Sequence, residues 1–453
     1  MTDPPLVSSR PDRAARRGGM AGAGALAADP GALAADPGAL AADPGARPAR
    51  TDARAAGVGA PATTRPVLPA RVAYWLAAAV IGLCLFASVV PSPLYHLYAV
   101  TWHFSSLTLT LIYATYAFGV LAALLTVGRV SDQIGRRPVL LVALGTLMVS
   151  SVLFIAARST AWLFVARAVQ GVATGAALSA ASAALLDLRG GREQAGAGLA
   201  NAVASAAGLG LGVLVSSALV ESGTAPRTLP YVLLLVLFVT ALAGAWWMPE
   251  PVAERSAPRL ELQRPGVPAG IRHPFLLAAL AVLSSWSIGG LFFSLGPELS
   301  GRLFGTANVV VAGIGGVALA LSGALAQLAF RRVPPWLGAS AGSVALATGM
   351  TLIVVAAAVN SSACFLAGSL IAGVGFGVAF LGGLRALTSV IPPEHRAAVM
   401  SAFYLVAYSS LSVPAVLAGV LVGHLGLDTT FEVFGSVVAA IALTMAAEAW
   451  RTR

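Results

Sequence analysis

From Arg71 to the C-terminus the chain is a succession of long apolar runs separated by short polar connections. A helix needs about 20 apolar residues to cross a bilayer. On that measure the runs predict helices near 72–99, 106–129, 138–157, 161–187, 195–220, 229–248, 274–298, 306–330, 336–358, 362–390, 397–423 and 429–449. The longest polar connection, 249–273, carries Glu250, Glu254, Arg255, Arg259, Glu261, Arg264, Arg272 and several prolines. It divides the chain into a first six-helix half, 71–248, and a second, 274–453. The expected fold is an all-α membrane protein of twelve transmembrane helices in two pseudo-symmetric bundles.

Residues 1–70 break the pattern. They contain three copies of Gly-Ala-Leu-Ala-Ala-Asp-Pro, at 24–30, 31–37 and 38–44. A proline every seven residues interrupts any helix, and the alanines between are too small to build a core. The expectation is a disordered cytoplasmic tail. Arg16-Arg17 resembles a twin-arginine export signal, but the recurring Asp-Pro breaks the apolar run such a signal requires. Met20 is an alternative start.

Composition supports a bilayer rather than water as solvent. Apolar residues make up 58% of the 453 and charged residues 10%, against roughly 25% charged in soluble domains; the mean hydropathy is +0.84. The net charge of +10 does not indicate nucleic-acid binding, because the arginines sit between apolar runs and no soluble domain remains. Lysine is absent. With the N-terminus inside, 24 of the 28 basic residues fall in cytoplasmic segments and three, Arg158, Arg227 and Arg302, outside. That bias predicts both termini in the cytoplasm of a cell (plasma or inner) membrane protein. Trp75, Trp102, Trp162, Trp246, Trp247, Trp336 and Trp450 lie near predicted helix ends, where indoles favour the interface; only Trp286 lies near a helix centre. Cys84 and Cys364 both lie in apolar runs and suggest neither a disulfide framework nor a zinc site. No cofactor or metal is called for, and no nucleophile–base pair or phosphate loop indicates an enzyme. The Gly208–Gly212 and Gly373–Gly377 runs lack the preceding strand of a dinucleotide site.

Between the second and third helices the chain reads Gly128-Arg-Val-Ser-Asp132-Gln-Ile-Gly135-Arg136-Arg137-Pro138. The glycines permit close packing and a tight reversal, and Pro138 suits the first turn of the next helix. Asp132 is one anion in a basic loop, placed to pair with arginine or to cap a neighbouring helix N-terminus. The segment resembles the signature loop of the major facilitator superfamily, and the resemblance extends over about 72–450. It implies a loop that locks the two halves in one state and releases them during transport by alternating access. The fourth helix carries Arg167-Ala-Val-Gln170-Gly171-Val-Ala-Thr-Gly175, similar to the family's second motif. The Gly171/Gly175 spacing marks a helix-packing face. Arg167 is a cation deep in an apolar run, where charge is costly and must face a cavity or a partner. The fifth helix has Gly208, Gly210 and Gly212 but no proline, a departure from the family's antiporter motif; the closest kink is Pro414 in the eleventh helix, followed by Gly419.

A shift of 202 residues places Gly171 on Gly373, Gly175 on Gly377, Ala195 on Ala397, Gly212 on Pro414 and Arg129 on Arg331, while Asp132 meets Pro334. Such a repeat fits paired halves with a binding site near the midplane. Family precedent makes Tyr95, Tyr113, Tyr116, Trp286, Phe292, Phe293, Phe376, Phe380, Tyr404, Tyr408, Gln170 and Asn201 the aromatic and polar candidates for the cavity, a mostly apolar pocket with a few polar handles. No Asp, Glu or His lies at the centre of a predicted helix; Glu298, Glu432 and Asp187 stand at ends. The lone deep charge, Arg167, disfavours organic cations and favours neutral or anionic solutes.

The expected function is secondary active transport of a small molecule, as proton-coupled efflux of amphiphilic compounds by a monomer in lipid. A facilitator or importer of a sugar, organic acid or other metabolite is the alternative. A non-transporting membrane sensor or scaffold is a second.

Overall fold

The computed structural model describes residues 67–188, 194–252, 257 and 264–451. The N-terminal repeats, Arg16-Arg17 and much of the polar connection lie outside the described residues.

Among the described residues, twelve helical segments of 18 to 33 residues are long and apolar enough to cross a membrane. The first half contains α1 (Ala70–Val89), α2 (Leu94–Trp102), α3 (Ser106–Thr126), α4 (Gly128–Ile134), α5 (Arg136–Ile155), α6 (Thr160–Asp187), α7 (Gln194–Glu221) and α8 (Leu229–Trp246). The second contains α9 (Arg272–Ser294), α10 (Gly296–Leu303), α11 (Val309–Ala329), α12 (Pro335–Val359), α13 (Ser362–Thr388), α14 (Arg396–Leu425) and α15 (Leu427–Arg451). In the spans, from a third to three-fifths of the most apolar stretch is buried inside the protein. The remainder, including Val142, Leu325 and Val437, is exposed, as expected where lipid is the solvent and both helix faces are apolar.

Two expected helices are broken. The run at 72–99 is α1 followed by α2, separated at Val90–Pro93, because Pro91 and Pro93 have no N–H to continue the ladder. The run at 274–298 ends at Ser294, and Pro297 sits in the first turn of the separate α10. The signature segment is itself partly helical, forming α4 rather than a simple loop. Three chain reversals at the end opposite α4, the far end, are capped by side chains. Ser105 accepts from Thr108 N, Asn308 from Val311 N and Ser361 from Cys364 N.

Glycine contacts repeat in the two halves. A Cβ on Gly175 would lie 2.6 Å from the Val120 carbonyl oxygen, and one on Gly171 would strike the Tyr116 carbonyl, so α6 packs backbone-close on α3. In the second half Gly373 and Gly377 meet the carbonyls of Leu319 and Gly323, and α13 packs on α11 in the same way. Pro414 lies inside α14. There the Leu411 carbonyl presses on Gly290 of α9, much as the Phe86 carbonyl of α1 presses on Gly212 of α7. Between the halves α3 packs along α14 and α7 along α11.

Candidate substrate site and signature loop

The break between α1 and α2 creates acceptors. The Ala87 carbonyl would normally receive the N–H of residue 91, which is proline. The Ser92 N–H turns to Val89 O (2.9 Å) and the Leu94 N–H to Pro91 O (3.0 Å), so the carbonyls of Ser88 and Val90 are also released. Buried carbonyls must find donors, and side chains supply them. Gln170 Nε2 donates to Ala87 O (3.0 Å), Arg167 Nη1 to Ser88 O (2.7 Å) and Ser216 Oγ to Val90 O (2.6 Å).

Arg167 is fully buried. Its Nη1 also reaches Gln170 Oε1 (2.7 Å), and its Nε donates to the Tyr95 hydroxyl (2.6 Å). The guanidinium carbon lies 5.4, 5.9 and 5.3 Å from the ring centroids of Tyr95, Tyr113 and Tyr116. Such cation–π contacts soften the cost of a desolvated charge. No carboxylate pairs with Arg167 among the described residues, and its Nη2 has no hydrogen-bond partner. The site is a cation held by carbonyl dipoles and aromatic faces, with one donor left over.

Beside it, between the halves, Tyr116 of α3 and Tyr408 of α14 share an apolar cluster to which Trp286 and Tyr404 are added. Trp286 of α9 meets Tyr408 edge-on at 5.1 Å and Phe380 at 5.7 Å. The structure therefore brings Arg167, Gln170, Tyr95 and Tyr116 together, and continues them into Trp286, Tyr404 and Tyr408. Tyr113, against the Arg167 guanidinium, and Phe380, against Trp286, belong to the same set, whereas Asn201, Phe292 and Glu298 lie apart from it. Asn201 bonds Ser182 Oγ (2.8 Å) through its Nδ2 on the α6–α7 side. Phe292 stacks on Phe365 at 5.9 Å inside the second half, because α9 turns that face onto α13. Glu298 sits in the first turn of α10 at the far end. Partial burial raises its carboxyl above the ordinary value, an effect opposed by His96.

At the other end, Asp132 of α4 pairs with Arg136, which also donates through Nε to Asp187 Oδ2 (3.0 Å) and through Nη1 to Ser131 Oγ (2.8 Å). Asp187 is thus an ion-pair partner at the end of α6. The N-terminus of α5 is capped not by Asp132 but by Glu250, whose two oxygens accept from Arg136 N (2.9 Å) and Arg137 N (3.0 Å). Arg137 lies over the Trp246 ring at 5.6 Å, and Pro138 stands in the first turn of α5. Gly135, with φ of 109°, is required twice: its backbone is in the region L side chains avoid, and a Cβ would lie 2.7 Å from Glu250 Cδ. Gly128 opens α4. The role of Glu250 was missed in the sequence, although the Pro249-Glu250-Pro251 stop after the sixth span marks the position.

The sequence profile of the Major Facilitator Superfamily matches residues 73–415. The chain belongs to that superfamily. Its fold is similar to that of the human organic anion transporter MFSD10, with a TM-score of 0.62, 18% identity, 84% of this chain covered and 100% of the other. It is also similar to a bacterial homologue of the human lysosomal transporter Spinster. Against the inward-facing, unoccupied form the TM-score is 0.67 at 15% identity, covering 85% of this chain and 98% of the other. Against the occupied form it is 0.67 at 14% identity, covering 84% and 96%. No curated protein sequence matches the chain. This facilitator-superfamily member is a multi-pass membrane protein of twelve spans in two six-helix bundles, and its superfamily makes it a secondary transporter of small molecules.

Proposed function

We propose that the protein exports small amphiphilic compounds by alternating access, driven by protons, from a cell membrane with both termini in the cytoplasm. The substrate site lies at the broken first span and extends across the interface to Trp286, Tyr404 and Tyr408. The observation that carries this reading is Arg167, a fully buried cation with no paired carboxylate and an unpartnered Nη2. A charge in that setting favours a solute that brings an acceptor or a negative group, while the rings favour an apolar body. The likeness to a human organic anion transporter is consistent with such a solute. The loop of Asp132, Arg136 and Asp187 serves as the conformational lock.

The test is flux in vesicles containing the purified full chain, with an imposed pH gradient and a panel of aromatic carboxylates, neutral amphiphiles and quaternary amines. Gradient-dependent movement of the first two groups and exclusion of the amines is expected. Movement of all three alike, or of none, refutes the reading. Uptake independent of any gradient selects the facilitator instead.

A further inference from the structure

The two halves meet at the far end along a seam that the signature loop does not touch. Helices α7 and α11 run antiparallel there. Gly210 of α7 faces Ala320 and Leu321, Val213 faces Gly316, and Ser217 faces Gly313. One turn beyond Ser217 stands Glu221, the last residue of α7, and one turn before Gly313 stands Val309, the first residue of α11. Glu221 Oε2 accepts from the Val309 N–H at 2.6 Å. Asn308, the N-cap of α11, already takes the Val311 N–H through its own side chain. The Asn308 N–H itself goes to Thr306 Oγ1 (3.1 Å), so three of the four orphan donors of α11 are filled, two from its own half and one from the other.

We infer that Glu221 is a latch that holds the far end closed by capping α11 across the boundary between the halves. The contact joins a carboxylate to the positive end of a helix that must swing away when the far end opens, so it exists only while that end is shut. The matching seam of α3 and α14 meets at the same end, where Thr110 fills the space beside Gly419, and among the described residues it offers no charged cap. The signature loop restrains the opposite end, so each end would have its own acidic restraint. The inference needs only alternating access, not the solute or coupling proposed above.

The test measures the closed and open populations directly. Ser222→Cys and Ala307→Cys, in a background with Cys84→Ala and Cys364→Ala, place spin labels on opposite halves beside the latch. Distances are measured in the full chain in lipid nanodiscs without substrate, so the result does not depend on the transported solute. A helix-end charge contact of this exposed kind shifts a two-state equilibrium by about two- to five-fold. Glu221→Ala is expected to raise the long-distance population by that factor, and Glu221→Gln by less, since the amide oxygen still accepts. Val309→Pro removes the donor and keeps the helix, because proline suits the first helical position. Asn308, at φ −65° and ψ 120°, already has the extended conformation a following proline requires. Val309→Pro should match Glu221→Ala, and the double variant should add nothing further. An unchanged distance distribution in Glu221→Ala, or additive effects in the double variant, overturns the latch.

Discussion

The first and second halves solve the same two problems with different chemistry. Each half breaks its first span near the far end, between α1 and α2 and between α9 and α10. In the first half the freed carbonyls are held by Arg167, Gln170 and Ser216. In the second, Ser294 bonds Gly290 O (2.6 Å) within its own helix, and Phe292 stacks on Phe365. The repeat places Ser369 where Arg167 stands, and Ser369 only returns its hydroxyl to Phe365 O (2.7 Å). The loop ends differ in the same sense. Asp132, Arg136, Asp187 and Glu250 form a charged network; in the second half Arg385 donates to two main-chain carbonyls, of Arg331 and Val333. Among the described residues, polar specificity is concentrated in one half and apolar packing in the other. A duplicated fold can therefore keep its buried cation and its charged loop network in one half alone.

The largest expected effect tests the breaks. Arg167→Ala leaves the Ser88 carbonyl, Gln170 Oε1 and the Tyr95 hydroxyl without their donor in a buried site. Each orphan costs about 1–3 kcal/mol, offset in part by removal of a desolvated charge, so a net loss of about 2–4 kcal/mol is expected. Ser369→Ala loses one bond within its own helix and should cost less than about 1 kcal/mol. Thermal unfolding in nanodiscs compares the two, and flux should vanish only in the first. Equal losses would mean that the two breaks are supported alike.

The spans, the glycine packing faces and the loop could be read from the sequence because each is a local pattern. Run length, a four-residue spacing and a short motif all survive without knowledge of the fold. The breaks were visible in Pro91, Pro93 and Pro297, but an apolar run looks continuous when its hydropathy is averaged across them. The partners of Arg167 could not be read. Tyr95 and Gln170 stood out as candidates for a cavity, whereas the carbonyls of Ala87 and Ser88 have no sequence signature at all. Glu250 and Glu221 were missed for a common reason. Each acts on a backbone N–H of a helix more than 80 positions away, and a backbone donor looks the same at every residue.

The loop ends allow a second contrast. Gly135→Ala places a Cβ against the Glu250 carboxylate at a positive φ. The backbone alone, at φ 109° and ψ 154°, costs about 1–3 kcal/mol, and displacing the cap of α5 adds roughly 1 kcal/mol. Flux should fall well below wild type while insertion persists, and Glu250→Ala should show only the smaller, capping part of the loss. If Glu250→Ala is as damaging as Gly135→Ala, the carboxylate rather than the turn carries the loop.

The smallest effect is expected where the second half replaces acids with carbonyls. Arg385→Ala removes two hydrogen bonds, at 3.1 and 3.2 Å, near the turn between α11 and α12. Water reaches exposed main-chain oxygens at that end, so the loss should be below about 1 kcal/mol, with flux close to wild type. Arg136→Ala, by contrast, strands Asp132 and Asp187 in one stroke and should slow transport about ten-fold or more, the equivalent of about 1.4 kcal/mol in a barrier. Vesicle flux for the two variants side by side decides the matter. If Arg385→Ala slows transport as much as Arg136→Ala, the second half carries a lock of its own, built from a cation and carbonyls, and the asymmetry lies only in its chemistry.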